Sequence, residues 1–311
     1  MSGMDKIDRY FEELMKAYGE RDFRTGLRIS LEAQRECPDE GVRTRFWQAC
    51  MHGMLGNGQE AAAALREGLR EGAWWSPRQL DGETDFDAAR GTPEFTAIRA
   101  ECENRFLEGQ EKSEPGFMTM EPESGIDPDK CLLALHQRGD AARGLASHLE
   151  PLAEEPGWTL VIPQSSQVLN SRAFCWDDFG LAKKEIGKCI ESLGSRYGIR
   201  RGKLILAGAS QGARLAFEIA HEIGVPFVCF IPSFPKGYEE TVRGWEGPGV
   251  PGVFMLGEGD KANDRSRPVI DAHAARGAWS RLRIMKGVGH WYPSDFAAQL
   301  AEELEEIRAR R

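Results

Sequence analysis

The spacing of apolar residues along the chain changes once, near residue 110. Before it, apolar residues recur every three or four positions, which is typical of amphipathic helices. One face of a first predicted helix carries Ile7, Phe11, Leu14, Met15 and Tyr18. A second face carries Phe23, Leu27 and Leu31, and further helices are predicted over residues 42–55 and 59–69. The first region is therefore predicted to be all-α.

Two stretches of this region, RDFRTGLRIS and GNGQEAAAAL, are loosely similar at an offset of about 35 residues, near the period of helix-pair arrays. The region resembles tetratricopeptide-type helical hairpins, with Gly56, Ala61 and Leu65 at the small and large positions. An irregular helical domain fits the same pattern, so both interpretations stay open.

After the polar segment GQEKSEPG, short apolar runs alternate with amphipathic stretches. The runs are CLLALH, WTLVIP, KLILAGA, PFVCFIP, GVFMLG and RLRIMKG, with an edge strand predicted at GFMTMEP. Strands that are apolar throughout and separated by helices indicate a mostly parallel sheet with helices on both faces. We therefore predict an all-α domain over residues 1–110, a linker over 111–116 and an α/β domain over 117–311.

Composition narrows the class of protein. The 311 residues carry a formal net charge of −9, which argues against a nucleic-acid or anionic-membrane partner. No apolar run is long enough to span a membrane, and the first twenty residues are too charged for a signal peptide. The seven cysteines form no CxxC pair, and the histidines show no metal-ligand spacing. These features predict a cytoplasmic protein with reduced thiols and no metal site.

The segment KLILAGASQGARLAF places Ser210 between Gly208 and Gly212, where a predicted strand meets a predicted helix. Small flanking residues permit a sharp turn that lifts the serine hydroxyl above the sheet at the helix N-terminus. The alternative is a glycine-rich turn in which the serine only caps the helix. A catalytic serine requires a base to remove its proton and an acid to orient that base.

Residues of both types follow later predicted strands. Asp260 and Asp264 come after GVFMLG, and His290 lies in a glycine-rich loop after the last strand. The order Ser210, Asp260, His290 is that of α/β-hydrolases. Residues from about 115 to 311 resemble an α/β-hydrolase of the carboxylesterase and acyl-thioesterase type. The resemblance implies that fold, with Asp260 rather than Asp264 as the acid, and Asp264 is expected to cap the following helix.

The resemblance also implies an oxyanion hole made of two backbone N–H groups. The first belongs to Gln211, the residue after the nucleophile, and the second falls on Arg138. The family loop usually reads His-Gly-x-Gly, whereas this chain has HQRGD, with Gln137 in place of the first glycine. His136 is expected to organise this loop. Asp177 and Asp178 could bind a cation or cap a helix, and we expect capping.

Aromatic residues in three loops are candidates for an apolar acyl pocket. They are Phe174, Trp176, Phe234, Trp291 and Tyr292. The remaining histidines are expected to be structural, with His221 inside a helix and the others on helix surfaces. These others are His52, His148 and His273.

The sequence therefore predicts a serine hydrolase that cleaves a small-molecule carboxylic ester or thioester through a Ser-His-Asp triad and an acyl-enzyme, without a cofactor. A peptidase or an amino-acid or peptide ester hydrolase with the same triad is one alternative. A catalytically degenerate fold that serves as an interaction scaffold is another. Residues 1–110 could cover the active-site mouth, form a homodimer or bind a protein partner, and these roles stay open.

Overall fold

The chain folds as two compact units, one of Met1–Ser113 with Val168–Ala173 and one of Glu114–Gln167 with Phe174–Arg311. The computed structural model describes residues 3–154 and 157–310; positions 1, 2, 155, 156 and 311 of the predicted domains lie outside the described residues. The last helix of the first unit ends at Lys112, and the first strand of the second begins at Gly116. The predicted linker, residues 111–116, therefore includes the end of that helix and the first residue of that strand.

The first unit is built from helices. They are α1 (Gly3–Gly19), α2 (Phe23–Glu36), α3 (Gly41–Met54), α4 (Gly58–Arg70), α5 (Pro77–Gly82), α6 (Asp87–Arg90) and α7 (Pro93–Lys112). The Asp22 carboxylate accepts a hydrogen bond from Thr25 N and so caps α2, and Thr92 caps α7 in the same way. The predicted third and fourth helices agree with α3 and α4 to within one residue at each end.

Successive helices of this unit pack together, α1 with α2, α2 with α3 and α3 with α4. Their apolar faces enclose a core in which Phe46 contacts Phe86 edge-on, at 5.2 Å between ring centroids. The buried indole of Trp75 donates a hydrogen bond to Val42 O at 3.0 Å, which satisfies its polar group. The tetratricopeptide-type assignment stays a prediction.

The second unit contains a sheet with the strand order β1-β3-β2-β4-β5-β6-β7. The strands are β1 (Gly116–Met120), β2 (Cys131–Leu135), β3 (Thr159–Gln164), β4 (Leu204–Ala209), β5 (Phe227–Phe230), β6 (Gly252–Gly257) and β7 (Ser280–Met285). Strand β1 pairs antiparallel with β3 and lies at the edge, as predicted, and the other pairings are parallel. A mostly parallel sheet is therefore confirmed.

The helices of the second unit are α8 (Ala142–Glu154), α9 (Phe179–Tyr197), α10 (Gln211–Ile223), α11 (Tyr238–Arg243), α12 (Asn263–Ala274) and α13 (Phe296–Arg308). Alternate strand residues belong to two separate apolar cores. One core joins Leu133 and Phe254 to residues of α9, α10 and α12, and the other joins Leu132 and Val253 to residues of α8 and α13. Helices thus cover both faces of the sheet. In the described part of the chain, no helix has the length and apolar character needed to cross a membrane.

Strand β7 is fixed to the last helix by charged groups. Arg283 on β7 donates to Glu302 at 2.8 Å and to Glu303 at 2.9 Å, both on α13. The Glu303 side chain is fully buried. Because a buried carboxylate is stable only when it is paired, this contact joins α13 firmly to the strand that precedes His290.

Candidate active site

Ser210 occupies a strained turn between β4 and α10. Its backbone has φ 51° and ψ −109°, a region that a residue with a Cβ rarely adopts. Ser210 N donates to Phe230 O at 3.0 Å, and Ser210 O accepts from Ser233 N at 3.3 Å. A Cβ on Gly212 would lie 2.5 Å from the carbonyl oxygens of Leu135 and His136, so only glycine lets α10 begin this close to the end of β2.

The structure brings Ser210, His290 and Asp260 together. His290 Nε2 lies 2.8 Å from Ser210 Oγ, and His290 Nδ1 lies 2.6 Å from Asp260 Oδ2. A carboxylate only accepts, so Nδ1 carries the proton and Nε2 is free to accept the serine O–H. Asp260 is buried, and its other oxygen, Oδ1, accepts from Ala262 N at 2.8 Å. Both oxygens of the acid are therefore engaged, and its orientation is fixed.

Asp264 takes a different place. It lies exposed in the first turn of α12, and Ala262 is the residue at the N-cap. The expectation that Asp264 caps this helix is therefore wrong, because the helix begins at Asn263, two residues earlier than that role requires. Of the two candidate acids, Asp260 is the one hydrogen-bonded to His290.

Two loops hold Asp260 and His290 in register. Gly259 N donates to Val288 O at 2.9 Å, and Gly287 N donates to the Glu258 carboxylate at 3.0 Å. These bonds join the loop after β6 to the loop after β7. The close approach depends on Gly257, since a Cβ there would lie 2.1 Å from Gly289 O. Sequence reasoning did not identify Gly257 or Glu258 as parts of the site.

A Gly257→Ala variant is expected to lower the free energy of unfolding by about 1–3 kcal/mol, because the added methyl group must push apart two backbone segments. Gly259→Ala is the matched control in the same loop, since its Cβ would come no closer than 3.6 Å to Val288 O. That variant should stay within about 0.5 kcal/mol of the parent protein. Urea denaturation measures both, and equal losses in the two variants would contradict the close-approach argument.

The loop after β2 is also joined to its neighbour. Gly139 N donates to Phe174 O and Phe174 N donates to Asp140 O, each at 2.9 Å. His136 is fully buried and stacks on Trp176 at 4.6 Å between ring centroids, and the Trp176 indole donates to His136 O at 2.8 Å. Burial lowers the pKa of His136 to about 4, so the ring is neutral. These contacts agree with the expected role of His136 in organising the loop.

The adjacent aspartates have separate roles. Asp178 Oδ1 accepts from Leu181 N at 2.9 Å and caps α9, as expected. Asp177 instead forms an ion pair with the Arg138 guanidinium and accepts a hydrogen bond from the Gln211 amide. The expectation that Asp177 caps the helix is therefore wrong, because its carboxylate is bound to these two side chains. No sequence signal indicated this contact.

The five aromatic pocket candidates differ in exposure. Phe174 and Trp291 are half-buried, and their assignment to an acyl pocket stays a prediction. The other three side chains are buried, and of these Tyr292 keeps 7% of its surface exposed. They are Trp176, Phe234 and Tyr292. Phe234 stacks on Tyr238, and Tyr292 stacks on Phe230 and His148. The assignment of these three residues to an acyl pocket also stays a prediction.

His273 corrects a further expectation. The sequence predicts it on a helix surface, but it is completely buried among aromatic rings that include Phe217, Phe227 and Phe254. Burial lowers the pKa of His273 to about 3, so it is an uncharged core residue. His221 lies inside α10, and its Nδ1 donates to Phe217 O at 2.8 Å. Both histidines are structural.

One group among the described residues brings ligand-type atoms within 4.8 Å of one another, namely Cys50, Glu83 and Asp85 of the helical unit. Tyr18 donates to Asp85 Oδ1 at 2.8 Å. Burial raises the pKa of the Cys50 thiol well above its usual value, which favours the protonated form over the thiolate that binds metals. The seven cysteines are all buried and free, as the sequence predicts.

No protein-family model matches the sequence, and no curated protein matches it. Among solved structures, the chain is similar to esterase PE8, with a TM-score of 0.55 and 19% identity over 62% of this chain and 99% of that chain. It is similar to an uncharacterized protein from Bacillus cereus ATCC 10987, with a TM-score of 0.53 and 18% identity over 97% of this chain and 99% of that one. A third similar structure is TT1662 from Thermus thermophilus, with a TM-score of 0.50 and 21% identity over 63% of this chain and 94% of that chain. The second unit has the α/β-hydrolase fold, preceded by a helical region.

Proposed function

We propose that the protein is a serine hydrolase that cleaves a carboxylic ester or thioester through an acyl-enzyme intermediate. The observation that carries this proposal is the hydrogen-bonded series Ser210 Oγ, His290 Nε2, His290 Nδ1, Asp260 Oδ2, built on a strained turn at a helix N-terminus. The similarity of the fold to that of esterase PE8 supports a hydrolase.

The reaction begins when His290 Nε2 takes the proton of Ser210 Oγ as the oxygen attacks the acyl carbonyl carbon. The imidazolium that forms is stabilised by the Asp260 carboxylate, which accepts a hydrogen bond from Nδ1–H, with 2.6 Å between Nδ1 and Oδ2. The carbonyl oxygen becomes negative in this step. The backbone N–H groups of Gln211 and Arg138 are proposed to bind it, and the positive end of α10 adds to their effect.

The tetrahedral intermediate collapses when its bond to the leaving alcohol or thiol breaks, and His290 Nε2–H protonates that group. Water then enters, and His290 takes its proton while the water oxygen attacks the acyl carbon. The second intermediate expels Ser210 Oγ, which recovers its proton from His290, and the carboxylic acid leaves. Each transfer uses the same imidazole nitrogen, which is why the fixed tautomer matters.

The length of the segment between β5 and β6 favours a small acyl substrate. The helix in this segment is α11, which has six residues. Such a segment is too short for a large inserted lid. The free, buried cysteines support placement in a reducing compartment such as the cytoplasm. For residues 1–110 the three roles of covering the active-site mouth, forming a homodimer and binding a protein partner stay open.

Intact-mass spectrometry after exposure to a fluorophosphonate tests the proposal. We expect one adduct in the natural protein and none in Ser210→Ala, because only an activated serine displaces fluoride at an appreciable rate. A Ser165→Ala variant is the control, since that buried hydroxyl donates to Cys175 O at 2.6 Å and has no histidine beside it in the described contacts. A folded protein that takes no adduct would contradict the proposal and favour an interaction scaffold.

A further inference from the structure

Asp177 connects the two segments that carry the proposed oxyanion N–H groups. Its Oδ1 and Oδ2 accept from Arg138 Nε and Nη2 at 3.0 and 3.2 Å, so the ion pair is bidentate. The same Oδ1 accepts from Gln211 Nε2 at 2.9 Å. Arg138 lies in the loop after β2 and Gln211 begins α10. One carboxylate therefore fixes the side chains of both residues.

The Gln211 amide has a single permitted orientation. Its Oε1 accepts from Trp176 N at 2.9 Å, and this backbone group can only donate. Its Nε2 faces Asp177, whose carboxylate can only accept. Because each end of the amide has a partner of one type, the side chain cannot rotate without losing both bonds. The first residue of α10 is thereby held against the segment that carries Asp177.

The segment that carries Asp177 is itself well supported. Phe174 pairs with Gly139 and Asp140 through two backbone hydrogen bonds of 2.9 Å. The Trp176 side chain is fully buried. The Asp177 side chain is 21% exposed and that of Arg138 is 35% exposed, so solvent reaches this pair only in part. Asp177 thus projects from a hydrogen-bonded segment onto the side chains of the two residues that carry the proposed N–H donors.

We infer that Asp177 is a positioning residue that sets the distance between the two oxyanion N–H groups. This inference rests on the function proposed above. The family loop relies on glycines, whereas this chain has Gln137 and Arg138 there. The Arg138–Asp177 pair anchors that loop through side chains. The N–H donors act on charge that develops only in the transition state. A change in the distance between them therefore lowers kcat and leaves substrate binding largely intact.

The test is hydrolysis of p-nitrophenyl acetate by the full chain, with kcat expressed per site titrated by the fluorophosphonate, which removes any unfolded fraction. Asp177→Ala is expected to lower kcat about 10- to 100-fold with KM within about twofold, less than the loss of a whole donor. Arg138→Ala should lower kcat in the same direction. Arg138→Lys should not restore it, because an ammonium group cannot form the bidentate pair.

Asp178→Ala is the matched control. This neighbour caps α9 through Leu181 N, so its loss should lower Tm and leave kcat per site unchanged. If Asp177→Ala behaves like Asp178→Ala, Asp177 is only structural and the inference is overturned while the hydrolase proposal stands. If the natural protein takes no adduct and hydrolyses no ester, the proposed function fails and the inference fails with it.

Discussion

A Ser210→Ala variant is expected to lose about a million-fold in ester turnover while remaining folded. The reason is that Ser210 Oγ is the atom in contact with His290 Nε2, at 2.8 Å, and no other hydroxyl among the described contacts takes that place. Turnover of p-nitrophenyl acetate by purified protein measures the loss, with circular dichroism as the test of folding. Turnover above one-tenth of the natural rate in a folded variant would remove Ser210 from the mechanism.

Ser210→Gly provides a matched control for the backbone. Both variants lack the hydroxyl, but glycine adopts φ 51° without a clash, whereas alanine keeps the Cβ that strains this turn. The glycine variant should therefore be as inactive as the alanine variant and more stable by about 1 kcal/mol. Equal stabilities in urea denaturation would show that the turn stores no strain.

The second large effect is expected for Asp260→Asn, which should lower kcat about 10⁴-fold. An amide of the same shape keeps an oxygen for Ala262 N but turns its NH₂ group towards His290 Nδ1. The imidazole then accepts at Nδ1 and carries its proton on Nε2, which can no longer take the proton of Ser210. Steady-state kinetics with the same ester measure the effect.

Asp264→Asn is the control for this substitution. Asp264 is exposed in the first turn of α12, so neutralising it should change kcat less than twofold and weaken only a favourable interaction with the helix dipole. If Asp264→Asn is the impaired variant and Asp260→Asn is nearly normal, the acid has been misassigned.

Much of the second unit could be predicted from the sequence because its strands are marked by composition. Strand β4, LILAGA, is buried at every position, and such a run between polar stretches is typical of a central parallel strand. Ser210 could be located for a related reason, since the turn requires glycines at fixed offsets from it. Asp260 and His290 lie in the loops after two further strands, β6 and β7. Because the ends of those strands could be predicted, the sequence also indicated that both residues lie at the same edge of the sheet as Ser210.

Other features depend on contacts that no local pattern encodes. The Arg138–Asp177 pair joins residues 39 apart on two irregular loops, where neither helical nor strand periodicity applies. His273 lies in a polar helix, α12, and its burial follows from which face meets Phe254. Residues Val168–Ala173 belong to the helical unit although they are far from it in sequence. Their place there depends on contacts between distant residues, such as the hydrogen bond from Ser76 N to Leu169 O.

The attachment of β7 to α13 determines when the proposed activity arises during synthesis. The turn at Ser210 is translated 80 residues before His290, which at about 5–20 residues per second is an interval of roughly 4–16 s. His290 follows β7, and β7 is held by Arg283 to carboxylates of α13, which is translated later still. A nascent chain therefore carries its serine without a base for that interval, and β7 gains its charged partners only after α13 has been translated.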